Sequence, residues 1–216
     1  MMAPPRITLL ILAGGASRRM GRDKASLPFP GPADPPLVQR AHDQLRPLTG
    51  HCIVAGRTGF DLDCDVVQDV VGVTGPLGGL LAGLVASPFE TVLVAAADTP
   101  FPSRELASNL ISIAESRPQA QATFCLLEGR VEPFFAVYRK SAVPELIRAA
   151  GEGRGSRGVG LRRATAKLQQ MRVREIIWRW WDPEAASFRS CNTPQELAEA
   201  ARLAAFPKEV QSERVV

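Results

Sequence analysis

Residues 12–24 have the types and spacing of a loop that binds phosphate groups. Glycines stand at positions 14, 15 and 21, and the pattern up to the lysine reads G-G-x5-G-x2-K. Adjacent glycines let backbone N–H groups approach an anion without a Cβ in the way. Arg18, Arg19 and Lys24 would supply the positive charge that a triphosphate needs. The stretch therefore predicts a nucleotide-binding loop.

The spacing excludes two common phosphate loops. The pattern G-x-G-x-x-G does not follow the first apolar run, so a dinucleotide fingerprint is absent from that place. A P-loop needs Gly-Lys-Ser/Thr, whereas Lys24 follows Gly21 by three residues. The loop is therefore of another kind.

Asp98 is the best candidate for a metal ligand. It comes directly after the apolar run 91–97, which predicts a buried strand. Carboxylate oxygen is a ligand that Mg²⁺ prefers, and Mg²⁺ in proteins usually also binds substrate phosphates. Asp98 at the end of a strand therefore predicts a magnesium site next to the phosphate loop.

Predicted strands and helices alternate along the chain. Strands are expected over residues 7–13, 52–55, 66–67, 91–97, 122–127, 131–138 and 173–178. Helices are expected over residues 37–48, 78–87, from the N-cap Ser103 to about 117, over 141–150, and from the capping box at Thr193 to about 206. Glycines and arginines in residues 151–160 predict a loop.

This alternation predicts an α/β fold, a three-layer α/β/α sandwich with a Rossmann-like, mainly parallel sheet. Ligands of such sheets bind at the carboxyl ends of the strands, where the glycine loop and Asp98 both fall. We expect residues 1–206 to form a single domain and residues 207–216 to be a disordered tail.

Composition and charge narrow the classes of partner. Residues 139–174 carry ten basic and two acidic side chains, a net +8, in a chain whose net charge is +4. Such a segment favours an anionic partner, or is a solvated helix face plus a loop. Aromatic residues are not interleaved with these charges, so nucleic acid is not the expected partner. No apolar run is long enough for a membrane span and no signal peptide is recognised, so a cytoplasmic location is expected.

The cysteines predict neither a cross-link nor a metal site. Cys52, Cys64, Cys125 and Cys191 are scattered, without a C-x-x-C pair. His42 and His51 are the histidines that could assist a soft-metal site. We expect reduced thiols, as is usual in the cytosol.

Five ordered motifs resemble molybdenum cofactor guanylyltransferases, within the wider superfamily of nucleotidyltransferases. L-A-G-G-A-S-R-R-M-G-R-D-K at residues 12–24 matches that family's signature. Gln68-Asp69 with G-P-L-G-G at 75–79, A-D-T-P at 97–100, E-P-F-F-A at 132–136 and N-T-P-Q-E-L at 192–197 resemble its later motifs. The matches span residues 7 to about 203.

The resemblance implies a fold of the nucleotide-diphospho-sugar transferase type and transfer of GMP from GTP to molybdopterin, as molybdenum cofactor, with release of pyrophosphate. It implies that Lys24, Asp98 and Arg18 are catalytic, with Mg²⁺ held by Asp98 and, less strongly implied, Asn192. The residues that it implies for binding GTP and its metal are Leu12, Ala13, Gly14, Gly15, Ser17, Arg19, Gly21, Lys24, Asp69 and Asp98.

Several residues keep two interpretations. Asp69 completes the nucleoside site or caps a loop, and Asn192 helps to hold a metal or pterin or forms an Asx-turn. Arg162 and Arg163 could receive the pterin phosphate. Trp178, Trp180 and Trp181 stack on a pterin or belong to the core or a dimer contact.

Two other functions stay open from the sequence. One is a related nucleotidyltransferase that uses CTP or a sugar-phosphate acceptor. The other is a non-catalytic nucleotide-binding partner in molybdoenzyme maturation. Expected partners are GTP, molybdenum cofactor and a molybdoenzyme chaperone, with neither nucleic acid nor membrane, and the chain is expected to be a monomer or weak oligomer.

The sequence departs from the family's pattern at four places. One is the second-strand segment Ile53-Val54-Ala55-Gly56-Arg57, in which the usual polar residue is replaced. R-M-G-R-D-K is one residue shorter than the common R-M-G-G-x-D-K, Ala97 stands for cysteine, and Glu132 stands for histidine. The second half of the chain, which should contact the pterin, matches least.

Overall fold

A computed structural model describes residues 5–14, 24–56, 59–73, 75–152 and 160–205. Within these residues one sheet has seven strands in the order β3-β2-β1-β4-β6-β5-β7. The strands are β1 (Ile7–Leu12), β2 (His51–Ala55), β3 (Asp65–Val67), β4 (Thr91–Ala96), β5 (Ala122–Leu127), β6 (Arg130–Arg139) and β7 (Gln170–Val173).

The sheet is mainly parallel. β1 pairs in parallel with β2 and β4, β2 with β3, and β5 with β7, whereas β6 is antiparallel to both β4 and β5. The chain leaves β1 toward β2 on one side and reaches β4 on the other. The carboxyl ends of β1 and β4 therefore flank a crevice of the kind in which open α/β sheets bind ligands.

Helices cover both faces of the sheet. They are α1 (Leu37–Leu45), α2 (Pro76–Ala86), α3 (Arg104–Glu115), α4 (Val143–Glu152), α5 (Leu161–Thr165), α6 (Glu175–Trp178) and α7 (Pro194–Ala205). Every residue of β1 is buried because alternate side chains enter two different cores. Leu9 packs with α1 and α3, and Leu10 packs with α2 and α4. The predicted three-layer α/β fold is confirmed.

The last helix is fastened beside the sheet edge. A small apolar cluster joins Phe29 and Leu37 to Cys191 and Ala200. The predicted capping box is present, since Glu196 accepts hydrogen bonds from the backbone of Asn192 and Thr193, and Thr193 Oγ1 accepts from the backbone of Glu196. These contacts hold residue 192 close to the end of β4.

The strand predicted over residues 173–178 is wrong. The backbone leaves β7 at Val173 and forms a helical turn, α6. Trp178 is fully buried, and its indole N–H donates a hydrogen bond of 2.8 Å to the carbonyl of Leu126 at the end of β5. Because this carbonyl accepts a hydrogen bond from a side chain, β7 does not continue its pairing with β5 past this point. The apolar run looked like a strand because Ile176 and Ile177 are also apolar, although both are exposed.

The expectation of reduced thiols is wrong for one pair. Cys52 and Cys64 form a disulfide, with their Cα atoms 4.6 Å apart. Spacing along the chain did not reveal this pair, because the return from β2 to β3 brings the two cysteines together. Cys125 and Cys191 are free and buried.

Candidate functional site

The end of β1 is tied to both of its neighbours. The backbone N–H of Ala13 donates to the carbonyl of Ala55 at 2.9 Å, and that of Ala97 donates to the carbonyl of Leu12 at 3.1 Å. Leu12 and Ala13 are buried. The chain therefore emerges at Gly14 from a fixed position in the crevice between β1 and β4.

Two glycines allow a close backbone approach at this point. Gly56, directly after β2, has a φ of +108°, and a Cβ placed there would lie 2.6 Å from the Cα of Gly14. A side chain at residue 56 would therefore clash with backbone and would also be strained. The contact fixes the backbone of Gly14 against the end of β2.

The carboxylate of Asp69 lies close to Gly14 and Gly79. A Cβ on Gly14 would lie 3.5 Å from both carboxylate oxygens of Asp69, and a Cβ on Gly79 would lie 3.1 Å from its Oδ1. That Oδ1 atom is buried and has no hydrogen-bond partner among the described residues. Loss of hydration raises the pKa of the Asp69 carboxyl. The Oδ1 atom thus caps no described backbone group, and it is an acceptor that a ligand could satisfy.

Lys24, Asp98 and Asn192 meet at the end of β4. Lys24 Nζ donates to Asn192 Oδ1 at 2.6 Å and lies 3.5 Å from Asp98 Oδ2. The side chains of Lys24 and Asp98 are 20% and 24% exposed. Burial raises the pKa of the Asp98 carboxyl, and the positive charge of Lys24 opposes part of that rise. Residues far apart in sequence thus form one polar cluster.

The backbone holds this cluster in place. Lys24 begins a short 3-10 turn, Lys24–Ser26, and Asp98 follows β4 directly. The N–H of Cys191 donates to the carbonyl of Asp98 at 3.0 Å. Asn192 is therefore aligned with Asp98 by the main chain as well as by the side chain of Lys24.

A cavity of about 390 Å³ extends from this cluster across the sheet edge. Its near wall includes Leu12, Gly14 and Lys24, and its far wall includes Phe134 and Arg162. The volume and the mixture of polar and apolar walls suit a small-molecule site.

An ion pair between a buried carboxylate and a half-exposed guanidinium lies on the far wall. Glu132 Oε2 accepts a hydrogen bond of 2.6 Å from Arg162 Nη2, and Glu132 Oε1 accepts from the N–H of Phe134 at 3.2 Å. The Glu132 side chain is 8% exposed, whereas that of Arg162 is 50% exposed. Burial raises the pKa of the Glu132 carboxyl, and Arg162 lowers it in part. Both side chains line the cavity, and the carboxylate is the more deeply buried of the two.

The position of Glu132 follows from the direction of β6. This strand runs opposite to β4, so its beginning lies at the edge where β4 ends. The pairing of β6 with β5 shifts register after Phe124, next to Pro133, which has no N–H for the ladder. Sequence reasoning missed the pair with Arg162, although a carboxylate inside an apolar strand was a signal that a cation lies nearby.

The predicted site residues fall into three groups. The structure brings together Leu12, Ala13, Gly14, Lys24, Asp69, Asp98 and Asn192, with Arg162 across the cavity. Gly15, Ser17, Arg18, Arg19 and Gly21 lie outside the described residues, as does most of the loop 151–160. Trp178 belongs to the core, and Trp180 is 80% exposed without lining the cavity.

A glycine-lined crevice at the carboxyl ends of β1 and β4, with a lysine and a carboxylate at its rim, is typical of the class of α/β proteins that bind nucleotides. A family model described as the MobA-like NTP transferase domain matches residues 9–173. The chain therefore belongs to the MobA-like NTP transferases, a nucleotidyltransferase family that typically uses a divalent metal ion.

Known relatives agree with this assignment. The chain is 35% identical over 201 residues to a probable molybdenum cofactor guanylyltransferase of Chloroflexus aggregans, covering 87% of this chain and 90% of that protein. It is 32% identical over 160 residues to a molybdenum cofactor guanylyltransferase of Pseudomonas putida, covering 71% and 81%.

Solved structures share the fold. Molybdopterin-guanine dinucleotide biosynthesis protein A from Archaeoglobus fulgidus superposes with a TM-score of 0.76 at 23% identity, covering 92% of this chain and 98% of that one. A 2-C-methyl-D-erythritol 4-phosphate cytidylyltransferase from Thermus thermophilus gives 0.63 at 17% identity, covering 91% and 98%. Among the described helices, none has the length and apolar character that crossing a membrane requires.

Proposed function

We propose that the protein transfers GMP from GTP to the terminal phosphate of molybdopterin, in the form of molybdenum cofactor, and releases pyrophosphate. The observation that carries this proposal is the meeting of Lys24, Asp98 and Asn192 at the mouth of the glycine-lined crevice. The names of the relatives supply the nucleotide and the acceptor.

The nucleoside binds along the end of β1. Leu12, Ala13 and Gly14 line the cavity, and Asp69 lies against Gly14. A buried acceptor atom without a partner is costly, and a ligand N–H or O–H would remove that cost. Asp69 therefore orients the guanosine by accepting a hydrogen bond from it.

The attacking group needs little activation. A phosphate monoester has a second pKa of about 6 and is largely ionised at neutral pH. The described cavity wall contains no histidine. The work of the protein is therefore to position the two substrates and to balance their charge.

The residues at the end of β4 fit a divalent metal. Asp98 and Asn192 offer carboxylate and amide oxygen, the hard donors that Mg²⁺ prefers. When bound there, Mg²⁺ would supply charge neutralisation and polarisation at the α-phosphate. We propose Mg²⁺ on this donor set, with Asp98 as its main protein ligand and Asn192 as a second.

Lysine and arginines balance the remaining charge. Lys24, within reach of both Asp98 and Asn192, stabilises negative charge on the α-phosphoryl group and the leaving pyrophosphate. We assign the β- and γ-phosphates to Arg18 and Arg19 and the rest of the loop contacts to Gly15, Ser17 and Gly21, as the motif implies.

The acceptor binds on the far wall. Arg162 presents its guanidinium to the cavity while Glu132 holds it from behind. A guanidinium fixed in this way suits the phosphate of a pterin substrate. The two substrates then approach one another across the cavity, with the reacting phosphates near Lys24 and Asp98.

The remaining expectations stay predictions. They are the single domain over residues 1–206 with a disordered tail, the cytoplasmic location, the molybdoenzyme chaperone as a partner, and the monomeric or weakly oligomeric state.

The proposal is tested by incubating the purified protein with GTP, MgCl₂ and molybdopterin loaded with molybdate, followed by mass detection of the product. We expect the guanine dinucleotide and one pyrophosphate per product, with CTP and ATP inactive. Product from CTP alone would favour the cytidylyl alternative. GTP binding without any product would favour a non-catalytic partner.

A further inference from the structure

A second group of chemically reactive side chains lies away from the cavity. Cys52 on β2, Cys64 before β3 and His42 on α1 place their two sulfurs and a ring nitrogen within 4.8 Å of one another. None of these residues lines the cavity. Within the described residues, no other set of three or more His, Cys, Asp or Glu side chains has this geometry.

The two ring nitrogens of His42 have different surroundings. Nδ1 lies 2.9 Å from Asp43 Oδ1, whereas Nε2 is buried and has no hydrogen-bond partner among the described residues. The His42 side chain is 13% exposed. When Nδ1 donates its proton to this carboxylate, the lone pair of the neutral imidazole is on Nε2. This is the arrangement that orients a metal-binding histidine, and it leaves one buried acceptor unused.

We propose that His42, Cys52 and Cys64 form a thiol-dependent site for a soft divalent metal ion, with Zn²⁺ as the ion that best fits two sulfurs and one imidazole. The disulfide is the oxidised form of this site without metal. A tetrahedral zinc ion holds its sulfur ligands about 3.8 Å apart. Cys64 lies outside the strands, so a side-chain rotation there can separate the sulfurs while the Cα atoms stay close.

The interconversion balances in electrons and protons. A dithiol reductant gives two electrons and two protons to the disulfide, which becomes two thiols, and the reductant becomes a disulfide. Zn²⁺ binding then releases both thiol protons to solvent. Two thiolates and a neutral imidazole neutralise the ion, and water takes the fourth position. Phe60 and Leu62 pack against the same core as Cys64.

The site is tested on the full chain, reduced with dithiothreitol, desalted without oxygen and freed of metal. Titration with Co²⁺ should give a thiolate-to-cobalt charge-transfer band that saturates at a single ion per chain, and Zn²⁺ should displace it. Mg²⁺ in excess should not, because it prefers oxygen ligands. The oxidised protein should give no band.

Variants assign the ligands. His42→Gln should weaken Zn²⁺ binding roughly 100-fold or more, since it removes a ligand, and Asp43→Asn should weaken it about tenfold by loosening the imidazole. Cys64→Ser should lose most of the cobalt band. The matched control is His51→Gln, because His51 pairs with the exposed Asp65 and lies outside the group. It should bind Zn²⁺ like the unchanged protein.

Circular dichroism of each variant checks that it is folded, and Asp43→Asn keeps the test available if His42→Gln is not. Equal Zn²⁺ affinity in His42→Gln and the unchanged protein would overturn the proposal, because it would mean adventitious binding by two thiols. Absence of a cobalt band from the reduced protein would overturn it as well.

Discussion

The two walls of the cavity are built in different ways. On the nucleotide wall, Leu12, Gly14 and Asp98 stand directly at the ends of central parallel strands, and main-chain hydrogen bonds fix them. On the acceptor wall, Glu132 comes from β6 and Arg162 from α5. A side-chain ion pair joins them, and Arg162 Nη1 also donates to the carbonyl of Val131 at 3.3 Å.

The two walls should therefore control different substrates. Strand ends in the middle of a sheet are rigid, so the nucleotide wall suits a part of the reaction that demands fixed geometry. The acceptor wall depends on long side chains, whose replacement can change the acceptor without disturbing the sheet. Substitutions on the two walls should therefore separate GTP from the acceptor in steady-state kinetics.

The largest effect is expected from Asp98→Asn. It removes the charge of the main proposed metal ligand and should lower kcat by about 1,000-fold, which is within the range for loss of one preorganised electrostatic group. Pyrophosphate release measures it. The matched control is Asp65→Asn, which changes an aspartate that is 73% exposed and should leave kcat unchanged. Activity of Asp98→Asn close to that of the control would exclude Asp98 from the chemistry.

Lys24→Met should lower kcat by about 100-fold, because it removes a positive charge beside the reacting phosphates. Lys167→Met is the control, since Lys167 pairs with Glu152 away from the cavity. Rapid-quench measurement of pyrophosphate would check the effect on chemistry itself. If instead the KM for GTP rose and kcat did not change, Lys24 would bind the ground state and the transition state equally and would not contribute to the chemical step.

Glu132→Gln should act on the other wall. We expect the KM for the acceptor to rise about tenfold and the KM for GTP to stay the same, because Arg162 loses the charged partner that orients it. Glu175→Gln breaks the exposed pair with Arg179 and serves as the control. Equal changes in both KM values would contradict the division between the walls.

Gly56→Ala should destabilise the fold by about 1–3 kcal/mol and raise the KM for GTP, because its Cβ would meet Gly14. Gly129→Ala is the control, because it measures the loss of stability that comes from a positive φ alone, without a clash. Its φ is +75°, yet nothing lies within 4 Å of the added Cβ. Urea unfolding compares the two, and equal losses would show that the close approach to Gly14 costs nothing.

Asp69→Asn should have the smallest effect on stability. Unlike Gly56→Ala, it should stabilise the folded protein. Burial raises the folded pKa of this carboxyl above its ordinary 3.8, so the folded state binds the proton more tightly. The group therefore costs stability as pH rises through the raised pKa. Because asparagine carries no charge, Asp69→Asn removes this cost at neutral pH.

The expected gain in melting temperature is a few degrees at most, since 1 kcal/mol is worth about 2–4 °C in a chain of this size. The gain should disappear below the ordinary pKa of 3.8. Asp61→Asn, at an exposed position, should give none. A loss of stability in Asp69→Asn at neutral pH would show that its carboxylate has a partner in the folded protein.

The strand ends that form the nucleotide wall could be predicted from the sequence because the signals for them are local. An apolar run followed by Gly14, and another followed by Asp98, predict two strand ends, and parallel strand ends meet at one edge. The capping box at Thr193 likewise predicts the start of α7. Each strand end and the start of the helix depends on residues within a few positions of one another.

Features that depend on distant partners could not be predicted in the same way. The pair of Glu132 with Arg162 spans 30 residues. The disulfide from Cys52 to Cys64 depends on how the chain returns between two strands. Residues 175–178 form the helical turn α6 because Trp178 is buried in the core, where it donates a hydrogen bond to the carbonyl of Leu126 at the end of β5.

The most direct test of the central claim is a crystal structure with a non-hydrolysable GTP analogue and Mn²⁺ in place of Mg²⁺. The anomalous signal of Mn²⁺ should lie within ligand distance of Asp98, the triphosphate should contact Lys24, and the guanosine should rest on Gly14 and Asp69. A triphosphate bound away from Lys24 and Asp98 would contradict the claim.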